Sequence, residues 1–200
     1  MALGGTIRGK KTTLRLPLEA DLETYDRWMA DMRVRRAHNV WHEPAMPATW
    51  KERFKEAAKE KQAVLWSIEA DGKLIGLAFG YMWGLWSGFD LSQLVIDPDQ
   101  WRKGYGFDVA LALHRYLFDY LDLRRSDLEL RADNAAALRI ADRLGYVEYA
   151  RGHEVAYRDG AYVDQVRLLM EKETWQERWL GEREYAPLSP GATTQVVRSL

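Results

Sequence analysis

Between Thr12 and Pro17 polar and apolar residues alternate, the two-residue period of a strand. Glu19-Ala20-Asp21 then offers a helix start, and Leu22, Tyr25, Trp28 and Met29 recur at helical spacing. The stretch from Asn39 to Pro47 carries two prolines and predicts an irregular connection. Thr49 caps a predicted helix from Trp50 to about Lys61, rich in Lys, Glu and Ala. Ala63 to Glu69 and Lys73 to Trp83 read as paired strands around the Asp71-Gly72 turn. Gly84 to Gly88 predicts a second turn, and Phe89 to Ile96 a third strand. After a polar, glycine-containing loop, Phe107 to Leu121 reads as a long helix. Ser126 to Arg131 alternates again, Ala135 to Leu144 predicts a helix, and Gly145 stops it. Tyr146 to Arg151 and Val163 to Lys172 predict the last strands, joined around Arg158-Asp159-Gly160.

The order is β-α-α-β-β-β-α-β-α-β-β. Hairpins in the first half and a parallel crossover through the glycine loop in the second predict a mixed α+β domain, not a doubly wound one. A chain of 200 residues fits one domain with a sizeable core. The domain is expected over 1–187, with a loose tail over 188–200, where two prolines, a glycine and paired threonines follow Leu188. There is no cysteine, which excludes a disulfide framework, a thiolate nucleophile and Cys-ligated metal. With 29 basic and 30 acidic side chains the net charge is −1, which argues against a general nucleic-acid binder. No apolar run reaches the roughly 20 residues of a membrane span, and Met1 to Gly5 lacks the pattern of a secretory leader. A cytoplasmic protein is expected. No His/Glu pair has zinc-ligand spacing, so no metal is expected.

Chemistry concentrates in Val95-Ile96-Asp97-Pro98-Asp99-Gln100-Trp101-Arg102-Lys103-Gly104-Tyr105-Gly106. This is strand, loop, helix N-terminus. Such a loop aims several backbone N–H groups at one point, and the helix dipole adds partial positive charge. Phosphate is the natural ligand, with Arg102 and Lys103 adding full charges.

Trp101 to Gly106, together with Asn134-Ala135-Ala136-Ala137 leading to Arg143-Leu144-Gly145-Tyr146, resembles the GNAT superfamily of acyl-CoA-dependent N-acetyltransferases. Trp101 in the first loop position resembles the Trp-x-Lys-Gly-Tyr form of the bacterial ribosomal-protein N-terminal acetyltransferases. Leu14-Arg15-Leu16 with Asp21, the turn Arg158-Asp159-Gly160 with Asp164, and Met170 to Trp175 are similar to that branch too. The resemblance implies a mostly antiparallel central sheet with helices on both sides. It implies acetyl-CoA as cosubstrate, with Trp101, Arg102, Lys103, Gly104, Tyr105 and Gly106 at the pyrophosphate. Main-chain groups of Leu94, Val95 and Ile96 would lie along the pantetheine arm, and Asn134 would hydrogen-bond it.

The expected reaction is transfer of acetyl to a primary amine of a small molecule or a protein N-terminus, by direct attack on the thioester. Three positions that are often polar in this family are apolar here: Leu91 for a glutamate, Ala137 for a serine and Ala141 for a tyrosine acid. Asp90, beside Leu91, is the candidate for base chemistry if a bulge turns it into the cleft. Glu69, His114, Tyr105 and Tyr146 are weaker candidates, with His114 and Tyr146 better read as packed. Trp83 and Trp86 at an aromatic hairpin tip, with Trp41 and His42, can wall an acceptor site. Acidic Glu43, Asp90, Glu154 and Asp164 can attract an amine. Backbone N–H groups alone can also polarise the thioester. The alternatives are a non-catalytic acyl-CoA-binding or sensing module, and a structural protein using the aromatic surface. The protein is expected to act as a monomer or homodimer, with no nucleic-acid or membrane partner.

Overall fold

The computed structural model describes residues 5–37, 63–83 and 88–179, plus the isolated helical positions Glu52, Lys55 and Lys59. Those three positions fall within the predicted 50–61 helix; the rest of that helix, the 39–47 connection, the 84–87 turn and the 188–200 tail lie outside the described residues. An eight-stranded sheet runs in the order β1-β2-β3-β4-β5-β6-β8-β7. Its strands are β1 (Ile7–Arg8), β2 (Thr13–Arg15), β3 (Ala63–Ala70), β4 (Lys73–Trp83), β5 (Gly88–Ile96), β6 (Arg125–Arg131), β7 (Val147–Arg158) and β8 (Ala161–Glu171). Its helices are α1 (Leu22–Ala30), α2 (Met32–Ala37), α3 (Tyr105–Arg115), α4 (Ala135–Leu144) and α5 (Lys172–Trp179). Every described pairing is antiparallel except β5 with β6, which the crossover through α3 makes parallel.

The periodicities reach the core as written. Leu22, Tyr25, Trp28 and Met29 are all buried and meet Leu65, Leu77 and Val95 on one sheet face. On the other face α3 packs Val109, Ala112 and Leu113 against Trp66, Ile68 and Phe89. Further along that face α4 and α5 pack Ala141, Leu144 and Trp175 against Leu168 and Met170.

Four features differ from expectation. The helix begins at Tyr105, two residues early, and after Arg115 it widens into a π turn over Tyr116–Tyr120. Leu121 N–H accordingly donates to the Tyr116 carbonyl. The hairpin β7–β8 is longer than predicted because β7 is an edge strand whose side chains are mostly exposed, so no apolar alternation marks it. Short α2 has one buried residue, Val34. In α5 Trp175 alone is buried, so neither helix carries a repeating apolar stripe.

Candidate active site

The two parallel strands hold together only at one end. Gly88, Phe89 and Asp90 of β5 pair with Arg125, Ser126 and Asp127 of β6, and beyond that pairing the strands diverge. The gap is the V of a cleft of about 1080 Å³, lined by Leu91, Ser92 and Leu94 from β5 and Leu128, Glu129 and Leu130 from β6. The Trp101–Gly106 loop and the start of α3 form the cleft's open end, and α4 forms a side wall.

Register determines which β5 backbone groups face the gap. Asp97 N–H donates to the Ile75 carbonyl, so this pair is hydrogen-bonded across β4 and β5. Alternation then makes Val95↔Leu77 hydrogen-bonded and leaves Ile96↔Gly76 and Leu94↔Ala78 pointing away from β4. Leu94 and Ile96 therefore turn their N–H and C=O groups toward the gap. Val95 lines the cleft as well, with its main chain paired to Leu77 of β4. The Ile96 carbonyl accepts a hydrogen bond from Trp101 Nε1 at 2.7 Å. Trp101 thus ties the loop back to the strand and uses one of the acceptor sites on Ile96.

Arg102 and Gly104 are left-handed, at φ 63° and 85°, and bend the loop so that α3 starts at Tyr105. Lys103 reaches Gln100 rather than the cleft, donating to its Oε1 at 2.7 Å. Lys103's carbonyl is held from behind by Lys11 Nζ at 3.0 Å. Asp108, in the first turn of α3, accepts from the N–H groups of Lys10, Lys11 and Thr12 and from Thr12 Oγ1. One carboxylate therefore clamps the N-terminal segment against the loop.

Asn134 caps α4: its Oδ1 accepts from Ala137 N–H at 3.2 Å, and its Nδ2 donates to the Ala37 carbonyl at 2.9 Å. It lines the cleft, and its amide retains one hydrogen and one lone pair. Helix α2 bridges the mouth. Arg33 pairs with Asp99 on one side, and Arg36 pairs with Asp159 on the other.

At the joint of the V, β5 carries an extra residue. Phe79 pairs with Gln93 and Tyr81 with Asp90, so Leu91 and Ser92 both face Gly80. A Cβ on Gly80 would lie 2.5 Å from the Asp90 carbonyl and 2.3 Å from Phe89, so the bulge requires glycine there. Asp90 stands opposite Tyr81 on one side and Asp127 on the other. Burial, and then the nearby charges of Asp127 and Glu129, push its carboxyl up to about 6. Asp127 is paired with Arg125, and Arg125 lies over Trp83 at 5.1 Å. Trp83, Tyr81 and Phe79 alternate along β4 on this same face. Trp83 itself rests on Gly88 and lies outside the cleft lining. Trp41, Trp86, His42 and Glu43 lie outside the described residues.

Other candidates have structural partners. Glu69 accepts from Arg15, which also grips Asp21. Asp164 accepts from Glu154 N–H and Arg151 within its own hairpin. His114 is fully buried, and burial pushes its imidazole down to about 4, so it is neutral at pH 7. Its Nδ1 lies 2.6 Å from the Ala110 carbonyl, an acceptor only, so Nδ1 carries the proton. Its Nε2 is 2.5 Å from the Tyr146 hydroxyl, which is 2.6 Å from Ser126 Oγ. Tyr146 is thereby fully engaged beneath the joint. Leu91 and Ala137 line the cleft, and Ala141 is buried at 1 % exposure. Among the described residues no cluster of three metal-ligating side chains occurs, and no helix is long and apolar enough to cross a membrane. Sequence reasoning missed Arg139, Arg143 and Arg178, which line the cleft; the i, i+4 spacing of Arg139 and Arg143 was the available signal.

A mixed sheet that splays beside a glycine loop at a helix N-terminus is the frame of an acyl-CoA-dependent acetyltransferase. The acetyltransferase (GNAT) domain model matches residues 11–147. The chain belongs to the GNAT acetyltransferase superfamily, and it is an N-acetyltransferase of that family. It is 21% identical over 169 residues, covering 84% of this chain and 94% of the relative, to a prophage-derived uncharacterized N-acetyltransferase, YokL, of Bacillus subtilis. The spermidine N-acetyltransferase of Vibrio cholerae, solved in complex with CoA and spermine, superposes with TM-score 0.73 at 21% identity, covering 82% of this chain and 98% of that one. A GNAT-family acetyltransferase from Bacillus anthracis superposes with TM-score 0.72 at 15% identity, covering 84% and 99%. GNAT acetyltransferases use acetyl-CoA.

Proposed function

We propose that this chain moves the acetyl group of acetyl-CoA directly to a primary amine, on a small cationic molecule or a protein N-terminus. The observation that carries the reading is the divergence of β5 and β6 between two sites: the glycine loop at one end and Asp90 at the joint. The pyrophosphate meets loop N–H groups and Arg102. The pantetheine arm lies along Leu94, with the free hydrogen-bonding capacity of Asn134 on the opposite wall. The thioester then ends at the bulge, whose unpaired N–H groups can polarise its carbonyl.

The amine enters on the face bearing Tyr81, Trp83, Asp90 and Asp127, where aromatic rings and carboxylates suit a cation. Its nitrogen attacks the carbonyl carbon. As the C–N bond forms, the proton leaving nitrogen passes to Asp90, directly or through one water. The C–S bond breaks, and the CoA thiolate leaves and is protonated by solvent. The polyamine ligand of the Vibrio cholerae relative supports a cationic acceptor, and Trp101-x-Lys103-Gly104-Tyr105 supports the ribosomal-protein N-terminal branch. A panel holding both polyamines and N-terminal peptides therefore decides between them. Thiol release from acetyl-CoA, measured after calorimetry has shown CoA binding, is expected with at least one member.

Leu91, Ala137 and Ala141 favour a second reading, an acyl-CoA-binding module without turnover. CoA binding with no thiol release across the panel would establish it in place of the first.

A further inference from the structure

The bulge in β5 also decides which side chains share a face. Between the pairs Phe79↔Gln93 and Tyr81↔Asp90, Leu91 and Ser92 together face Gly80. Regular alternation would put Asp90 and Gln93, three residues apart, on opposite faces of the sheet. Instead they stand opposite Phe79 and Tyr81, which alternate on one face of β4. Asp90 and Gln93 are therefore successive side chains on that face, roughly 7 Å apart along the strand. Across from them the Phe79 and Tyr81 rings meet edge to face at 4.8 Å. This is the face that α1 and α2 cover: Leu77 and Val95, one step further along, share a cluster with Tyr25 and Val34, and Val34 and Val95 also line the cleft. Toward the joint that cover ends, and Tyr81 and Trp83 are exposed.

Gln93 stands at this border. It is 9 % exposed, and its Oε1 is buried with no hydrogen-bond partner. Among the described residues it is the one buried side-chain oxygen of β5 in that state. A buried acceptor without a donor destabilises the fold. The donor that the fold does not supply is one that a ligand can bring.

We propose that Gln93 determines acceptor specificity: its Oε1 accepts a hydrogen bond from the attacking nitrogen and selects a primary amine. This rests on the acetyl-transfer reading above. A neutral primary amine attacks with its lone pair and carries two N–H bonds. As the C–N bond forms and the C–S bond breaks, one of those protons passes to Asp90 and the other stays on the amide nitrogen. Asp90 and Gln93, side by side and both acceptors, take one N–H each. The lone pair is thereby turned toward the thioester. A secondary amine has a single N–H, so its alkyl group either faces Asp90 or leaves the Gln93 oxygen unpaired.

Thiol release with matched acceptors tests this, using 1,4-diaminobutane against N,N′-dimethyl-1,4-diaminobutane and an alanyl peptide against its N-methylalanyl form. The wild-type chain is expected to favour the primary amine by about 30-fold or more in kcat/KM. Gln93→Met, close in volume and without the oxygen, lowers kcat/KM for the primary amine by about tenfold or more. The secondary amine changes little, so the preference collapses. Gln93→Glu, which keeps an acceptor oxygen at the same reach, recovers part of it. CoA affinity, read by calorimetry, stays at the wild-type value in both variants. Gln93→Met is also expected to melt about 2–4 °C above wild type, because the unpaired oxygen is gone. A wild-type chain without the preference overturns the assignment of Gln93 and leaves the acetyl-transfer reading standing. So does a Gln93→Met chain that keeps the preference or melts below wild type. CoA binding with no thiol release from any primary amine overturns both.

Discussion

At the joint of β5 and β6 one carboxyl group is buried among like charges. Folding buries Asp90 beside Asp127 and Glu129, which raises it from 3.8 to about 6. The folded state therefore holds its proton more tightly than the unfolded chain does. That contribution to stability is complete below pH 3.8 and is lost as pH rises through about 6. Asp90→Asn is accordingly expected to stabilise the fold at pH 7.5, by on the order of 1 kcal/mol after solvent screening. The gain disappears near pH 3.5, and paired thermal melts at the two pH values read the difference. The same substitution is expected to lower kcat/KM for the amine by about 100-fold and to remove a limb near pH 6 from the rate profile. Asp21 has the opposite sign. Burial works against its charge, but Arg15, Leu18 N–H and Ser67 outweigh that and hold its carboxyl below the usual range. Its contribution is present at neutral pH and is lost as pH falls. Asp21→Asn leaves Arg15 half-paired beside a buried hydroxyl pair, and is expected to cost about 3 kcal/mol in urea titrations at pH 7. Asp90 was visible in the sequence only as a carboxyl beside an apolar position; the bulge at Leu91 and Ser92 that follows it is announced by no local pattern.

The elements were legible where one face alone is buried. Leu22, Tyr25, Trp28 and Met29 announced α1, and Asp71-Gly72 announced the β3–β4 hairpin, because helical period and turn chemistry are local properties. The second half of edge strand β7, beyond Arg151, and helices α2 and α5 were not legible. Their positions depend on partners far along the chain, such as Leu144 for Trp179 and Asp99 for Arg33. The divergence of β5 and β6 is announced by no local pattern, and the bulge beside it depends on Gly80. Valine at that position must displace the Asp90 backbone and Phe89. Gly80→Val is expected to flatten the bulge and destabilise the fold by about 2–4 kcal/mol, since both overpacking and backbone displacement are involved. Acetyl transfer should fall further than CoA affinity does, because the glycine loop is remote from Gly80. Calorimetry and thiol release on the folded fraction separate the two.

Across the whole molecule, the divergence of β5 and β6 lies between the glycine loop and the β5 bulge. Arg139, Arg143 and Arg178 line the cleft together with the loop of Gly104, while Asp90 pairs with Asp127 where the two strands still meet, outside the cleft lining. Clamps from distant parts of the chain hold the cleft. Asp108 fastens the N-terminal segment to α3, and α2 joins the two walls through Asp99 and Asp159. Composition had excluded thiolate chemistry and a generally basic surface. It could not separate the aromatic residues that pack, such as Trp66 and Trp175, from those left beside the joint, such as Trp83. In the proposed reaction the thioester of acetyl-CoA comes to rest beside Asp90. A crystal structure of the chain with a non-hydrolysable acetyl-CoA analogue would show where it lies. The pantetheine arm is expected to pair with the Leu94 backbone and to bring the acetyl carbon within one intervening amine or water of the Asp90 carboxylate, about 4–6 Å. An acetyl group bound away from the β5 bulge, with Asp90 facing solvent on the other side of the sheet, would contradict it.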